Sequence, residues 1–322
     1  MKAAETISES LTACSLNFER ELQPLVEDAW TPPSSVMIAT DGSLGSDAAV
    51  MLGRRLAARD GLDAELVTVF ERPIAYEVPL VPGVSELELD LAAKQGWWKG
   101  IEEQRRRIAP GAGRWPVTFE EGRPQRAIAG MAAERRKPLI VLGAGGHGLL
   151  ERVAGGELAL GVIRQGAAPV LAVSPDQERL PRTALVALDF TPASIEAAQL
   201  ALYLLGGQGT LYLAHVRDWD LDGGPLSAVP DEQTARMLLE EVRRTLNPPP
   251  AVTVESVLLT GDPPRALLAF AAEQAVELIA CGTHGYPALK RLFIGSVSTR
   301  LVRGAPCSVL VAPPTKDGIG WR

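Results

Sequence analysis

The chain has 322 residues, enough for two ordinary domains each burying its own core, and its 46% hydrophobic and 22% charged content is that of a globular protein. A net charge of −7 argues against a general nucleic-acid binder, which would carry a basic face. The apolar runs fall short of the ~18–20 residues that cross a bilayer, the N-terminus lacks the apolar block of a secretory signal, and three cysteines without metal spacing (Cys14, Cys281, Cys307) read as reduced thiols in a cytoplasm.

Residues 1–33 read as an added helical extension. In "SVMIATDGSLGSDAAVMLGRRLAAR" a β-branched and aliphatic strand ends at Asp41, and a Ser/Gly turn and an amphipathic helix follow. The stretch 70–91, "FERPIAYEVPLVPGVSELELDL", precedes a helix bearing Trp97 and Trp98. Packing between two halves of the molecule is the first expectation for it, with capping of a site or binding of a partner as alternatives. Arg105, Arg106 and Arg107 read as a solvated helix face. A buried strand at 139–142 is followed by Gly143, Gly145 and Gly148, the G-x-G-x-x-G that marks a dinucleotide site when it follows a strand. The polar, proline-containing run "SPDQERLPR" over 174–182 divides a first domain, 34–176, from a second, 183–314. In the second, strands are expected at 184–188, 210–216, 252–258, 278–281 and 308–311, and helices at 194–205, 232–246 and 264–274. Short, nearly all-apolar strands alternating with helices predict an α/β fold in which each half is a doubly wound parallel sheet, with its crevice at the carboxyl ends of the strands.

The two domains are copies of one another. "SVMIATDG" corresponds to "TALVALDF", pairing Asp41 with Asp189; "APVLAVSP" corresponds to "APCSVLVAP". Gly122, Gly143 and Gly156 match Gly261, Gly282 and Gly295 at one constant offset, which chance rarely produces. The repeat decides the glycine question. The second copy does not preserve G-x-G-x-x-G; both copies share a wider spacing, Gly143-x2-Gly146-x9-Gly156 and Gly282-x2-Gly285-x9-Gly295. A dinucleotide fingerprint also belongs after the first strand of its unit, with an acid about 20 residues on, and neither condition holds here.

The run Gly282-x2-Gly285-x9-Gly295-Ser296, together with the first-strand aspartate and the His215-Val216 pair, resembles the ATP-binding signature of the universal stress protein family, in both copies. The resemblance implies two tandem five-stranded parallel-sheet domains of the adenine nucleotide alpha hydrolase-like type, packed as an intramolecular pseudo-dimer, with a homodimer of the whole chain and an unidentified protein partner left open. It implies ATP, taken with Mg2+, as the ligand, bound by Leu188, Asp189, Val216, Cys281, Gly282, His284, Gly285, Gly295, Ser296, Val297 and Ser298, and a cytoplasmic regulatory or stress-response role.

Glycines at 282 and 285 would let the turn adopt unusual dihedrals close to ribose or phosphate. The bare amides of a helix opening at Gly295-Ser296 would make an anion site, with hydroxyl donors from Ser296 and Ser298; the ordinary alternative is that Ser296 is an N-cap. The first copy (Asp41, Gly143, Gly146, Gly156) carries Glu157 where the second has Ser296. A carboxylate there would repel a triphosphate and satisfy the helix start itself, so the first site is expected to be degenerate. No evident catalytic base and no G-x4-G-K-[ST] loop accompany the motif. An ATP-consuming enzyme of the related pyrophosphatase type and a nucleotide-free scaffold are the competing functions.

Overall fold

The computed structural model describes residues 30–72, 85–108, 115–145, 149–217, 231–283 and 295–313. The first half runs β1 (Ser35–Ala39), α1 (Asp47–Asp60), β2 (Asp63–Phe70), α2 (Glu86–Ile108), β3 (Val117–Glu121), α3 (Pro124–Ala133), β4 (Pro138–Gly143), α4 (Leu149–Gln165) and β5 (Val170–Val173). The second repeats the pattern as β6 (Thr183–Ala187), α5 (Pro192–Leu204), β7 (Gly209–Arg217), α6 (Glu232–Leu246), β8 (Val252–Thr260), α7 (Pro263–Glu273), β9 (Leu278–Gly282), α8 (Ser296–Gly304) and β10 (Ser308–Ala312). The expected strands of the second half are all present, shifted or extended by a residue or two. Of the extension expected over 1–33, residues 1–29 lie outside the described set; residues 30–33 have no regular structure, and Trp30 Nε1 donates to Glu196 Oε1 at 3.3 Å.

The helices begin where local chemistry can satisfy their first amides. Thr191 accepts from the Ser194 amide at the start of α5, Asp231 from that of Thr234 at α6, and Asp262 from that of Arg265 at α7. Pro192 and Pro263 fill first-turn positions that need no donor.

The strands form one ten-stranded sheet in the order β3-β2-β1-β4-β5-β10-β9-β6-β7-β8. Every pairing is parallel except β5 with β10, which run antiparallel at the centre, with Val170 opposite Val311 and Leu171 opposite Leu310. The two five-stranded units are thus joined edge to edge about a pseudo-twofold axis, so neither exposes its inner edge strand. Side chains alternate across the sheet: Val36 and Ile38 enter one core layer, Met37 and Ala39 the other. Each layer draws residues from both halves, so the two core layers run on across the β5–β10 pairing. Crossover helices cover both faces of a parallel sheet, which explains why its strands read as continuous apolar runs. No helix among the described residues is long and apolar enough to cross a membrane.

Candidate functional site

In the second half the carboxyl ends of β6, β7 and β9 meet the starts of α5 and α8. Beyond β6, Leu188 donates its amide to Ala214 O at 2.8 Å, which continues the ladder by one residue. Asp189 then folds back on the chain: its Oδ1 accepts from the Thr191 amide at 3.0 Å and the Thr191 hydroxyl at 2.6 Å. This turn forces Phe190 into the left-handed region at φ +62, uncommon for a bulky residue, and sets its ring 4.8 Å from that of His215. His215 Nδ1 lies 2.8 Å from Leu188 O. A carbonyl can only accept, so Nδ1 carries the proton, and burial, the larger influence, holds the ring pKa below its usual value. In that neutral tautomer Nε2 is a bare acceptor, buried and unpartnered among the described residues. Val216 follows it, half-buried, near the strand end.

Gly282 ends β9. A Cβ there would lie 3.0 Å from both the Ala193 Cβ and the Ser194 amide nitrogen. The expected reason for this glycine, unusual dihedrals, is therefore corrected: its φ is not positive, and the hydrogen side chain is needed because the first turn of α5 presses against it. Cys281 before it is buried, and burial pushes its thiol up to about 12, so it offers an apolar surface and no thiolate. The Gly295 amide donates to Thr283 O at 2.6 Å, which holds the start of α8 beside the end of β9. Gly295, extended at φ −59 and ψ 153, is the N-cap of α8, and among the described residues no side chain caps the helix. Ser296 is thus the exposed first helical residue, and the N-cap alternative for it does not hold.

Val297 is half-buried against the core. Ser298, 1% exposed, donates its hydroxyl to Gly295 O at 3.0 Å and Thr283 O at 3.3 Å, which ties the first turn of α8 to the end of β9. His284 and Gly285, like Gly146 in the first copy, lie outside the described residues. Asp189 Oδ2, His215 Nε2 and the uncapped start of α8 are features that suit a ligand with hydroxyl or amino donors at one end and negative charge at the other.

The first copy differs at both ends of its site. Asp41 makes the same turn, its Oδ1 accepting from the Ser43 amide and hydroxyl and from Ser46. Here, however, α2 lies on the turn. A Cβ on Gly42, at φ +80, would sit 2.7 Å from the Gly100 carbonyl carbon. Gln104, fully buried, accepts from Thr40 Oγ1 at 2.6 Å and donates to Ser46 Oγ and Asp47 Oδ1, each at 2.8 Å. Trp97 donates to Thr68 Oγ1 at 2.8 Å and packs edge-on against Phe70. By sheet register Thr68 stands where the second copy has His215. Packing between the halves is thus not what Trp97 does: it seals its own half, while Trp98, Leu87 and Leu91 are exposed. Residues 73–84 of the 70–91 stretch lie outside the described set.

The expectation for Glu157 is also corrected. Helix α4 begins at Leu149 and runs without a break through Gly156 and Glu157. Glu157 is a mid-helix residue that reaches across the seam to Arg303 of α8, whose Nε donates to its Oε1 at 2.9 Å, and it satisfies no helix start. Gly143 repeats the packing role of Gly282 more tightly, since a Cβ would lie 2.5 Å from Gly45 O. Among the described residues no group of three or more His, Cys, Asp or Glu gathers as a metal site.

Comparison with known proteins places this geometry. The chain is 28% identical to a universal stress protein of Mycobacterium tuberculosis over 304 residues, covering 86% of this chain and 96% of the relative, and 28% identical to one of Mycolicibacterium smegmatis, covering 87% and 97%. The crystal structure of a universal stress protein from Archaeoglobus fulgidus superposes with a TM-score of 0.59 at 20% identity, covering 88% of this chain and 97% of that one, a likeness of fold. Residues 34–174 and 181–313 each match the universal stress protein family, and the chain belongs to that family as a tandem member.

Proposed function

We propose that this protein is a regulatory adenine-nucleotide binder of the stress response that holds one ATP, with its Mg2+, per chain, in the second half. The observation that carries the reading is the start of α8 at Gly295-Ser296, which no side chain caps among the described residues. It is joined through Gly282 and Thr283 to the Asp189 turn. Asp189 Oδ2 would take a ribose hydroxyl. His215 Nε2, an acceptor, would take an amino or hydroxyl hydrogen of the nucleoside beside Val216. The amides at the start of α8, with the Ser296 hydroxyl, would hold the polyphosphate on the positive end of the helix dipole. Lacking any such helix start at Gly156, the first half would bind no triphosphate, and α2 would fill the space beside Asp41.

The reading calls for binding without turnover, since each named group holds or orients a ligand and none is set to activate water. Calorimetric titration of Mg-ATP into nucleotide-free protein tests it. One equivalent per chain is expected; two equal sites, or none, overturn it.

A further inference from the structure

The seam between the halves holds a cavity of about 310 Å3 whose chemistry is unlike that of the nucleotide cradle. Four arginines line it: Arg55 and Arg59 from α1, and Arg179 and Arg182 from the connection between the halves. Leu205 and Gln208, after α5, form part of the remaining wall. In the second half this is the amino end of the sheet, since Arg182 directly precedes β6 and Gln208 directly precedes β7. The carboxyl ends of those strands, where the nucleotide reading lies, are at the opposite edge.

Four arginines around one cavity give it a strongly positive lining. One is neutralised: Arg59 pairs with Asp60 at 2.6 Å and lies over the Tyr203 ring at 4.8 Å. The guanidiniums of Arg55, Arg179 and Arg182 have no carboxylate partner among the described residues, and all three residues are exposed enough to receive a ligand. The negative C-terminal end of a helix favours cations and accounts for Arg59 in the last turn of α1. It does not account for Arg179 and Arg182, which lie on no helix. Nor does the repeat demand this cluster. Counting from the paired aspartates, Arg55 and Arg59 correspond to Tyr203 and Gly207, so the second copy carries no charge at the matching helix positions. The cluster exists only because one copy's helix and the linker meet at the seam of a fused chain.

We propose that this seam cavity binds a small oxyanion of two or more negative charges, a phosphate ester or inorganic pyrophosphate, gripped by Arg55, Arg179 and Arg182. Guanidinium forks match the paired oxygens of phosphoryl groups, and three uncompensated charges match a multivalent anion better than a monovalent one. The cavity volume lies at the small end of the range for ligand pockets. A ligand here would touch both halves and the linker, and so would tie their relative arrangement to its own concentration.

The proposal does not rest on the nucleotide reading, and the test separates the two. Inorganic pyrophosphate, glycerol 3-phosphate and chloride are titrated into the full chain at low ionic strength, with wild-type protein, Arg179→Gln/Arg182→Gln and Ser296→Glu. Saturable binding of at least one of the first two, weakened roughly tenfold or more in the double arginine variant and unchanged in Ser296→Glu, is expected. Tighter binding of pyrophosphate points to a free polyphosphate, and tighter binding of glycerol 3-phosphate to a phosphorylated metabolite. Equal binding by the double arginine variant, loss on Ser296→Glu, or competition by chloride at equal concentration overturns the proposal. Arg179→Lys/Arg182→Lys keeps the charge and guards against misfolding; it should retain more binding than the glutamine variant, and binding no better than that variant counts against recognition by charge.

Discussion

After β1 the chain turns through Gly42 at φ +80; after β6 it makes the same left-handed turn through Phe190 at φ +62. The two turns share an aspartate that accepts from the chain two residues on, but they sit in opposite surroundings. Backbone of α2 lies 2.7 Å from where a Gly42 side chain would begin, so only glycine fits. At Phe190 there is room for a large ring, which stacks on His215 and leaves the histidine's Nε2 without a partner among the described residues. The same divergence recurs at the other end of the site, where α4 passes straight through Gly156 while α8 begins after Gly295. Duplication kept the scaffold in both halves, and the elements laid over it differ from one half to the other.

The largest effect expected from breaking this contrast is at α8. Ser296→Glu sets a carboxylate against several phosphate charges, each pair costing about 4 kcal/mol at 4 Å and an effective dielectric of 20, so Mg-ATP binding should fall by about a hundredfold or more. The unfolding midpoint should stay near that of wild type, because Ser296 is exposed; unchanged affinity would remove α8 from the site.

Next in size is the seal on the first half. Gln104→Leu leaves Thr40, Ser46 and Asp47 short of partners in a buried setting and should cost about 1–3 kcal/mol in chemical denaturation. The stoichiometry of ATP should remain one per chain, since opening that space creates no helix start at Gly156. A second equivalent would show that α2 alone keeps the first site shut.

A smaller, pH-dependent effect comes from His215, whose folded-state pKa burial holds below the unfolded value. The unfolded chain then binds the proton more readily, so the contribution is flat above about pH 6.5 and stability falls as the pH drops below it. His215→Asn should flatten that part of the stability curve; an unchanged slope would mean that other groups set it.

The smallest effect is at Glu157. Its pair with Arg303 is exposed, and Glu157→Ser should change stability by about 0–1 kcal/mol and leave the ATP stoichiometry at one. Appearance of a second site would revive charge repulsion as the reason for the difference between the halves.

The repeat, the positions of the second-half strands and the pairing of Asp41 with Asp189 and Gly143 with Gly282 were legible in the sequence alone, because each is written in local periodicity or in a constant offset. So were the helix starts at Glu232 and, to within one residue, at Pro263, where capping is a matter of adjacent residues. What the sequence could not determine were relations between distant segments. Gln104 and Thr40 are 64 residues apart, and nothing local announces that one buries itself on the other. The closeness of Gly282 to α5, the reach of Glu157 to Arg303, and the gathering of Arg55 and Arg59 with Arg179 and Arg182 depend on where the sheet places each helix and connection. Local propensity selects an element, but only packing decides what it lies against, and the chemistry available to each half follows from that contact.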